Sequence, residues 1–197
     1  LPLAALSIAL VPGAALAMHT IARTNDWFDQ LTLFTATVRT SPMSALAQVN
    51  LGTVYQSLGR TSDAEAAYER AIAIAPDRPG PHYNLATLLE GQGRLSEAIA
   101  AYREAVRIDP TDVRSLNNLG RALISGGEAK EAIPWLEQAA RLNPSAPTPS
   151  VNLAAAYLNA GEVRHAEATI RRVLAAHPND APALRILAGV RAAREKS

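Results

Sequence analysis

Five prolines, Pro42, Pro76, Pro110, Pro144 and Pro178, stand 34 residues apart. A fixed period of that length means that the fold is built by repetition: one supersecondary unit, too small to bury its own apolar face, stacks on copies of itself. Other positions keep the beat. Asn50, Asn84, Asn118 and Asn152 recur at 34, and so do Leu51, Leu85, Leu119 and Leu153. Each leucine is followed by a small residue: Gly52, Ala86, Gly120 and Ala154. Then come Gly59, Gly93, Gly127 and Gly161, the alanines Ala64, Ala98, Ala132 and Ala166, and the larger Tyr68, Tyr102, Leu136 and Ile170.

Each register has a physical task. The stretch from Ala45 to Leu58 reads as one helix, ended by Gly59, which reaches the left-handed conformation without steric cost. A second helix is expected from about Ser62, with Ser62 and Glu65 at capping-box spacing. It runs to about Ala75, where Pro76 stops it, since proline lacks an amide proton and disfavours helix in the residue before it. Gly52 and Ala64 let two helix axes approach closely, and Leu51, Tyr55 and Tyr68 fill the remaining space.

The small residue at the eighth place, alanine at the twentieth and proline at the thirty-second resemble the tetratricopeptide family over residues 45–180. The resemblance implies an all-α, right-handed superhelical solenoid of helix–turn–helix repeats at 45–78, 79–112, 113–146 and 147–180, closed by a capping helix at 181–197. In that last helix Leu184 and Leu187 keep register, and Arg191, Arg194, Glu195 and Lys196 give it a polar end. Two departures stand out. The fourth place, often tryptophan or another large apolar residue in the family, holds Gln48, His82, Leu116 and Ser150, which predicts looser packing. Pro134 falls inside a second helix and is expected to bend it or weaken a turn.

The first 22 residues differ in kind. Leu1 to Ala22 carry no charge and would span roughly 33 Å as a helix, enough for a bilayer core of about 30 Å. Arg23 closes the stretch, and Trp27 and Phe28 suit a membrane interface. A transmembrane helix is the leading reading. A signal peptide stays open through the Ala15-Leu16-Ala17 cleavage pattern, although no positive leader precedes it. A buried helix is the third possibility. The chain begins at Leu1, not Met, and is expected to be part of a longer protein. Residues 23–44 then form a juxtamembrane half-repeat with Phe34 in the register of Tyr68. Arg23, Trp27, Asp29, Leu31-Thr32-Leu33-Phe34 and Ser41-Pro42, leading into Asn50-Leu51-Gly52, resemble the junction of polytopic proteins with C-terminal tetratricopeptide repeats, including the transmembrane-and-tetratricopeptide O-mannosyltransferases. That resemblance implies a repeat domain on the periplasmic or otherwise non-cytoplasmic side, with any catalytic residues upstream of this chain.

Net charge is +1, with no basic stripe interleaved with aromatics, which argues against nucleic acid. There is no cysteine, so thiolate chemistry and disulfides are excluded. His19, His82, His165 and His177 lack metal-ligand spacing, no phosphate-binding glycine loop is present, and no nucleophile has a plausible base. The sequence points to no cofactor, no metal and no enzymatic activity in this chain.

The family places first helices along the concave face, which makes the asparagine register the leading candidate site. Asn50, Asn84, Asn118 and Asn152 would both donate to and accept from an extended peptide backbone, an arrangement similar to that of O-GlcNAc transferase repeats. The competing reading has these amides bonding to neighbouring backbone. Arg114 and Arg121, seven apart on one helix, would face the groove and suit a carboxylate. The simpler reading of two solvated charges, paired with Glu90 of the preceding first helix, is the favoured one. The carboxylate-clamp pattern of chaperone-binding relatives is missing: Val49 and Thr53 stand where its lysine and asparagine would fall. Tyr83, with Val49 and Val151 in equivalent places, would offer apolar patches. Tyr55, Tyr157 and Trp135 read as packing residues.

Two functions compete. The first is a membrane-tethered scaffold that binds a protein or peptide on its concave face, the membrane being engaged through residues 1–22. The second is an acceptor-binding accessory domain of a polytopic membrane glycosyltransferase. Self-assembly through the ends of the array is a third and weaker option, given the polar C-terminal helix.

Overall fold

The computed structural model describes residues 30–195, and helix is the only regular secondary structure among them. Residues 30–40 form α1. Next come α2 (Ala45–Ser57), α3 (Thr61–Ile74), α4 (Pro79–Gly91), α5 (Leu95–Ile108) and α6 (Val113–Ser125). They are followed by α7 (Ala129–Leu142), α8 (Pro147–Asn159), α9 (Val163–Ala176) and α10 (Ala181–Glu195). The apolar helix expected over 1–22 and the junction residues Arg23, Trp27 and Asp29 lie outside the described residues. None of the described helices is long and apolar enough to cross a membrane. The chain divides into two compact units, the first ending at Pro76 and the second beginning at Asp77.

The turn inside each hairpin is the same four times. Gly59, Gly93, Gly127 and Gly161 have φ of 71°, 77°, 82° and 80°, the left-handed region where a Cβ is penalised. The next amide, of Arg60, Arg94, Glu128 or Glu162, donates back to the carbonyl of Tyr55, Leu89, Leu123 or Tyr157 at 2.8–3.0 Å. This closes the helix end by the six-to-one bond of a Schellman turn. The chain re-enters helix at once, so α3 starts at Thr61 with Arg60 at its N-cap and no side-chain cap bond. The expected Ser62–Glu65 capping box is therefore corrected: both residues already lie within the helix. Side-chain pairs three residues apart stand at these starts instead, ion pairs of Arg60 with Asp63 at 2.7 Å and Arg94 with Glu97 at 2.6 Å, and a hydrogen-bonded Glu162 and His165 at 2.9 Å.

First helices begin differently. Ser44, Asp112 and Asp180 accept backbone amides at the starts of α2, α6 and α10. Pro79 and Pro147 occupy the first positions of α4 and α8, where the missing amide proton costs nothing.

Within the hairpins, close approach follows the eighth and twentieth places. Ala64, Ala98, Ala132 and Ala166 are wholly buried. A Cβ on Gly52 would come within 2.6 Å of the Tyr68 ring, and one on Gly120 would strike Leu136. Glycine there makes room for the large residue at the twenty-fourth place.

The fourth place packs better than expected in two repeats. Leu116 is wholly buried, and Gln48 is 4% exposed although its Oε1 has no hydrogen-bond partner. His82 and Ser150 are half-buried. α7 runs unbroken through Pro134, which is exposed.

In the second unit, Leu89, Tyr102, Leu116, Leu119, Leu123 and Leu136 belong to one core that runs from α4 to α8. Val151, Ile170, Val173 and Ala183 form another between α8 and α10. First helices pack on first helices, α6 on α8 and α8 on α10, whereas no comparable pairing joins α5 to α7 or α7 to α9. The Arg103–Glu131 pair, at 2.6 Å, reaches from α5 to α7 with long side chains. The first helices of this unit thus lie on its inner side.

Candidate functional site

Local helix geometry brings residues of the fifth and sixth places of α4, α6 and α8 onto one face of the second unit. The Asn118 amide donates to the Tyr83 hydroxyl at 3.1 Å, and the Asn152 amide donates to Asn117 Oδ1 at 2.9 Å. Asn117 in turn donates to Asn118 Oδ1 at 3.4 Å. The repeated asparagines therefore bond the side chain at the fifth place of the preceding repeat, not the backbone. The bonding interval is 35 residues, one more than the sequence period.

Asn50 in the first unit and Asn84 in the second, both half-buried, make no side-chain hydrogen bond among the described residues. The sequence-predicted asparagines thus fall into two classes: Asn118 and Asn152 hold repeats together, while Asn50 and Asn84 keep their amides uncommitted.

Tyr83 is the hub of the face. Its ring meets Tyr102 edge-on at 5.9 Å, and the Arg114 guanidinium lies 5.2 Å from its centroid. Arg114 remains 74% exposed and reaches Asp112 at 3.3 Å. Arg121 is committed elsewhere: both of its terminal nitrogens donate to the Glu90 carboxylate, at 2.6 and 2.8 Å. Glu90 also accepts the Tyr102 hydroxyl proton at 3.0 Å. Burial, reinforced by the Glu90 charge, pushes the Tyr102 hydroxyl well above the ordinary tyrosine range. Arg121 is thus one end of a bridge from α6 to α4 and α5.

Val151 is buried at 6% exposure, so the apolar patch expected there is withdrawn; Val49 is half-buried. Trp135 packs against the core with its indole nitrogen buried and unpaired. Tyr55 and Tyr157 are half-buried. The Arg60 guanidinium lies 4.5 Å from the Tyr55 ring centroid, and the Tyr157 hydroxyl donates to Glu137 at 2.7 Å. Burial and that carboxylate push the Tyr157 hydroxyl up to about 12.

Sequence reasoning missed Asn117. The fifth place varies as Val49, Tyr83, Asn117 and Val151, so a search for identity at 34 passes over it. The usable signal was chemical: an acceptor one residue before the register position in the second and third repeats, Tyr83 and Asn117. Among the described residues no group of His, Asp or Glu side chains is arranged to hold a metal ion.

Family models described as tetratricopeptide repeat match residues 43–111, 82–147 and 123–189. No curated protein sequence matches significantly. Among solved structures, the chain is similar to YrrB, described as a TPR protein with an unusual peptide-binding site. The TM-score is 0.74 at 20% identity, over 82% of this chain and 84% of that one. MamA is similar at TM-score 0.72 and 18% identity, over 81% and 94%. A tetratricopeptide repeat protein from Parabacteroides merdae gives 0.76 at 17%, over 90% and 71%. At these identities the likeness is one of fold.

Proposed function

We propose, from the premise that the chain belongs to the tetratricopeptide-repeat family across residues 43–189, that the first-helix face of its second unit binds an extended stretch of another polypeptide. The observation that carries this reading is the unequal use of the asparagines. Asn118 and Asn152 spend their amides between repeats, while Asn84, next to Tyr83 on the same helix, retains one donor pair and one acceptor. That is the complement of one peptide unit. Arg114, exposed and one repeat further on, adds a cation that suits a carboxylate or backbone carbonyls. The peptide-binding site described for YrrB, on a similar fold, supports the choice of ligand class.

In this reading the chain acts by binding, not by catalysis. Residues 1–22 supply a membrane tether by the length rule, with the repeats on the non-cytoplasmic side. Retention in the membrane fraction after alkaline carbonate, lost on deleting 1–22, is the outcome that tether requires.

The face is tested with a fluorescent peptide selected from a random library on the wild-type chain. Asn84→Ala is expected to raise its Kd about five- to tenfold, the worth of roughly one hydrogen bond, with no change in melting temperature. Asn118→Ala is expected to lower the melting temperature as well, because it also severs the bond to Tyr83. A library that yields no binder, or one whose affinity ignores Asn84→Ala, sinks the assignment.

A further inference from the structure

The final helix repeats the register of a first helix but has no second helix of its own among the described residues. In the earlier repeats that second helix covers the fourth, seventh, eighth and eleventh places. In the third repeat these are Leu116, Leu119, Gly120 and Leu123, all buried. On α10 the same places are Leu184, Leu187, Ala188 and Arg191. Leu184 is 46% exposed, Leu187 is half-buried against Ile170 and its neighbours, and Ala188 and Arg191 are exposed. The four lie at intervals of three and four residues, hence on one stripe.

The stripe also carries a charge signature. Arg191 stands where Leu89 and Leu123 are buried, and neither Arg191 nor Arg185 makes an ion pair among the described residues. Arg194, one turn beyond, is held by Glu167 at 2.8 Å. Glu195 is the acid nearest in sequence to Arg191 and is not paired with it.

We infer that this stripe of α10 is a docking site for an amphipathic helix of acidic character, seated as a second helix seats on the first helices before it. The preceding hairpins supply the template. The large residue at the twenty-fourth place packs on the small eighth-place residue, Tyr68 on Gly52 and Leu136 on Gly120, one turn after a wholly buried alanine. Ala188 at the eighth place matches Ala86 and Ala154, which share a buried core with Tyr102 and Ile170 of their own hairpins. Arg191 selects the partner's charge: a carboxylate flanking the partner's apolar stripe would meet it. A second copy of α10 would instead set arginine against arginine. This site is distinct from the asparagine face and does not depend on it.

The probe is a fluorescent peptide with the sequence of Leu95–Ile108, the second helix of the second repeat, carrying Arg103→Glu and Arg107→Glu; its control has the glutamates of that peptide changed to lysine. Measured by anisotropy on the full chain, the acidic peptide is expected to bind with an affinity that falls on raising salt, and at least tenfold tighter than the basic control. Arg191→Glu should weaken it about tenfold and Leu184→Ser about fivefold. Both residues are exposed, so an unchanged thermal melt verifies folding of each variant. Asn84→Ala should leave it unchanged. Equal binding of the two peptides, no binding of either, or indifference to Arg191→Glu and Leu184→Ser overturns the proposal. So does concentration-dependent dimerisation that Leu184→Ser abolishes, since that would give the stripe to a second copy.

Discussion

Glu90 and Arg121 form one pair in which the partners have unequal stakes. Glu90 is 19% exposed and serves both Arg121 and the Tyr102 hydroxyl, whereas Arg121 is 45% exposed. Removing Glu90 leaves the buried hydroxyl without its acceptor. Removing Arg121 leaves a carboxylate that keeps Tyr102 and gains water. Glu90→Ala is expected to cost about 1–3 kcal/mol and Arg121→Ala about 0–1 kcal/mol, read from urea denaturation midpoints. Equal losses would show that the ion pair, and not the tyrosine bond, holds the contact. At this scale the sequence was half legible. That an arginine of α6 could meet Glu90 was legible in the sequence; that Arg121 does so while Arg114 turns to Asp112 was not. Nor was it legible that Asn118 seeks Tyr83 and Asn152 seeks Asn117, because hydrogen bonds reward complementary groups and a repeat search rewards identical ones.

At the scale of the element, the two kinds of helix start obey different physics. Each second helix follows directly from a turn that consumes the flanking amides, and needs no side-chain cap. A first helix follows a longer connection and uses Ser44, Asp112 or Asp180, or a proline. Asp112 accepts from the Ser115 hydroxyl at 2.6 Å and from the amides of Ser115 and Arg114 at 3.3 and 3.4 Å. Partial burial raises its pKa, but the hydrogen bonds from Ser115 and Arg114 outweigh this and hold the carboxyl below the ordinary aspartate range. A depressed folded pKa contributes stability that is complete above the unfolded value, near 4, and lost as pH falls through the lower folded value. The wild-type chain should therefore lose melting temperature between pH 5 and 2 relative to Asp112→Asn. Asparagine also caps, so the two should melt alike at pH 7. Parallel acid curves would remove Asp112 from the account. Sequence reading found the helices and their glycine stops correctly but misplaced the cap of α3. A Ser-x-x-Glu spacing is common, and only the back-bonded amide of Arg60 shows that the helix has already begun.

At the scale of the molecule, the second unit is a row in which each helix is held by near neighbours in sequence. Helices α6 and α7 have packed repeats on both sides; among the described residues α10 packs mainly on α8 and α9. Stability in such a row is a sum of local terms and interfaces. Amide exchange should be slowest in α6 and α7 and quicken towards α10, resolved by mass spectrometry of peptic fragments. Uniform protection across 77–195 would mean that the unit opens all at once. Repeat architecture was legible from the five prolines because stacking demands the same small and large residues in every copy. The asparagine face was legible only as a register, since nothing repeats in the residues that distinguish one asparagine from the next.

The third repeat carries both halves of the inter-repeat bond: Asn118 reaches back as donor, and Asn117 waits as acceptor for the repeat that follows. It is self-complementary. Concatenated copies of 113–146 would extend the amide ladder without limit, each unit specifying its successor. The fourth repeat ends that lineage with Val151, and Ile186 on α10 offers no donor to it. The reach of the ladder is thus set by the side chains at the fifth and sixth places, and Val151→Asn with Ile186→Asn would carry it one step further.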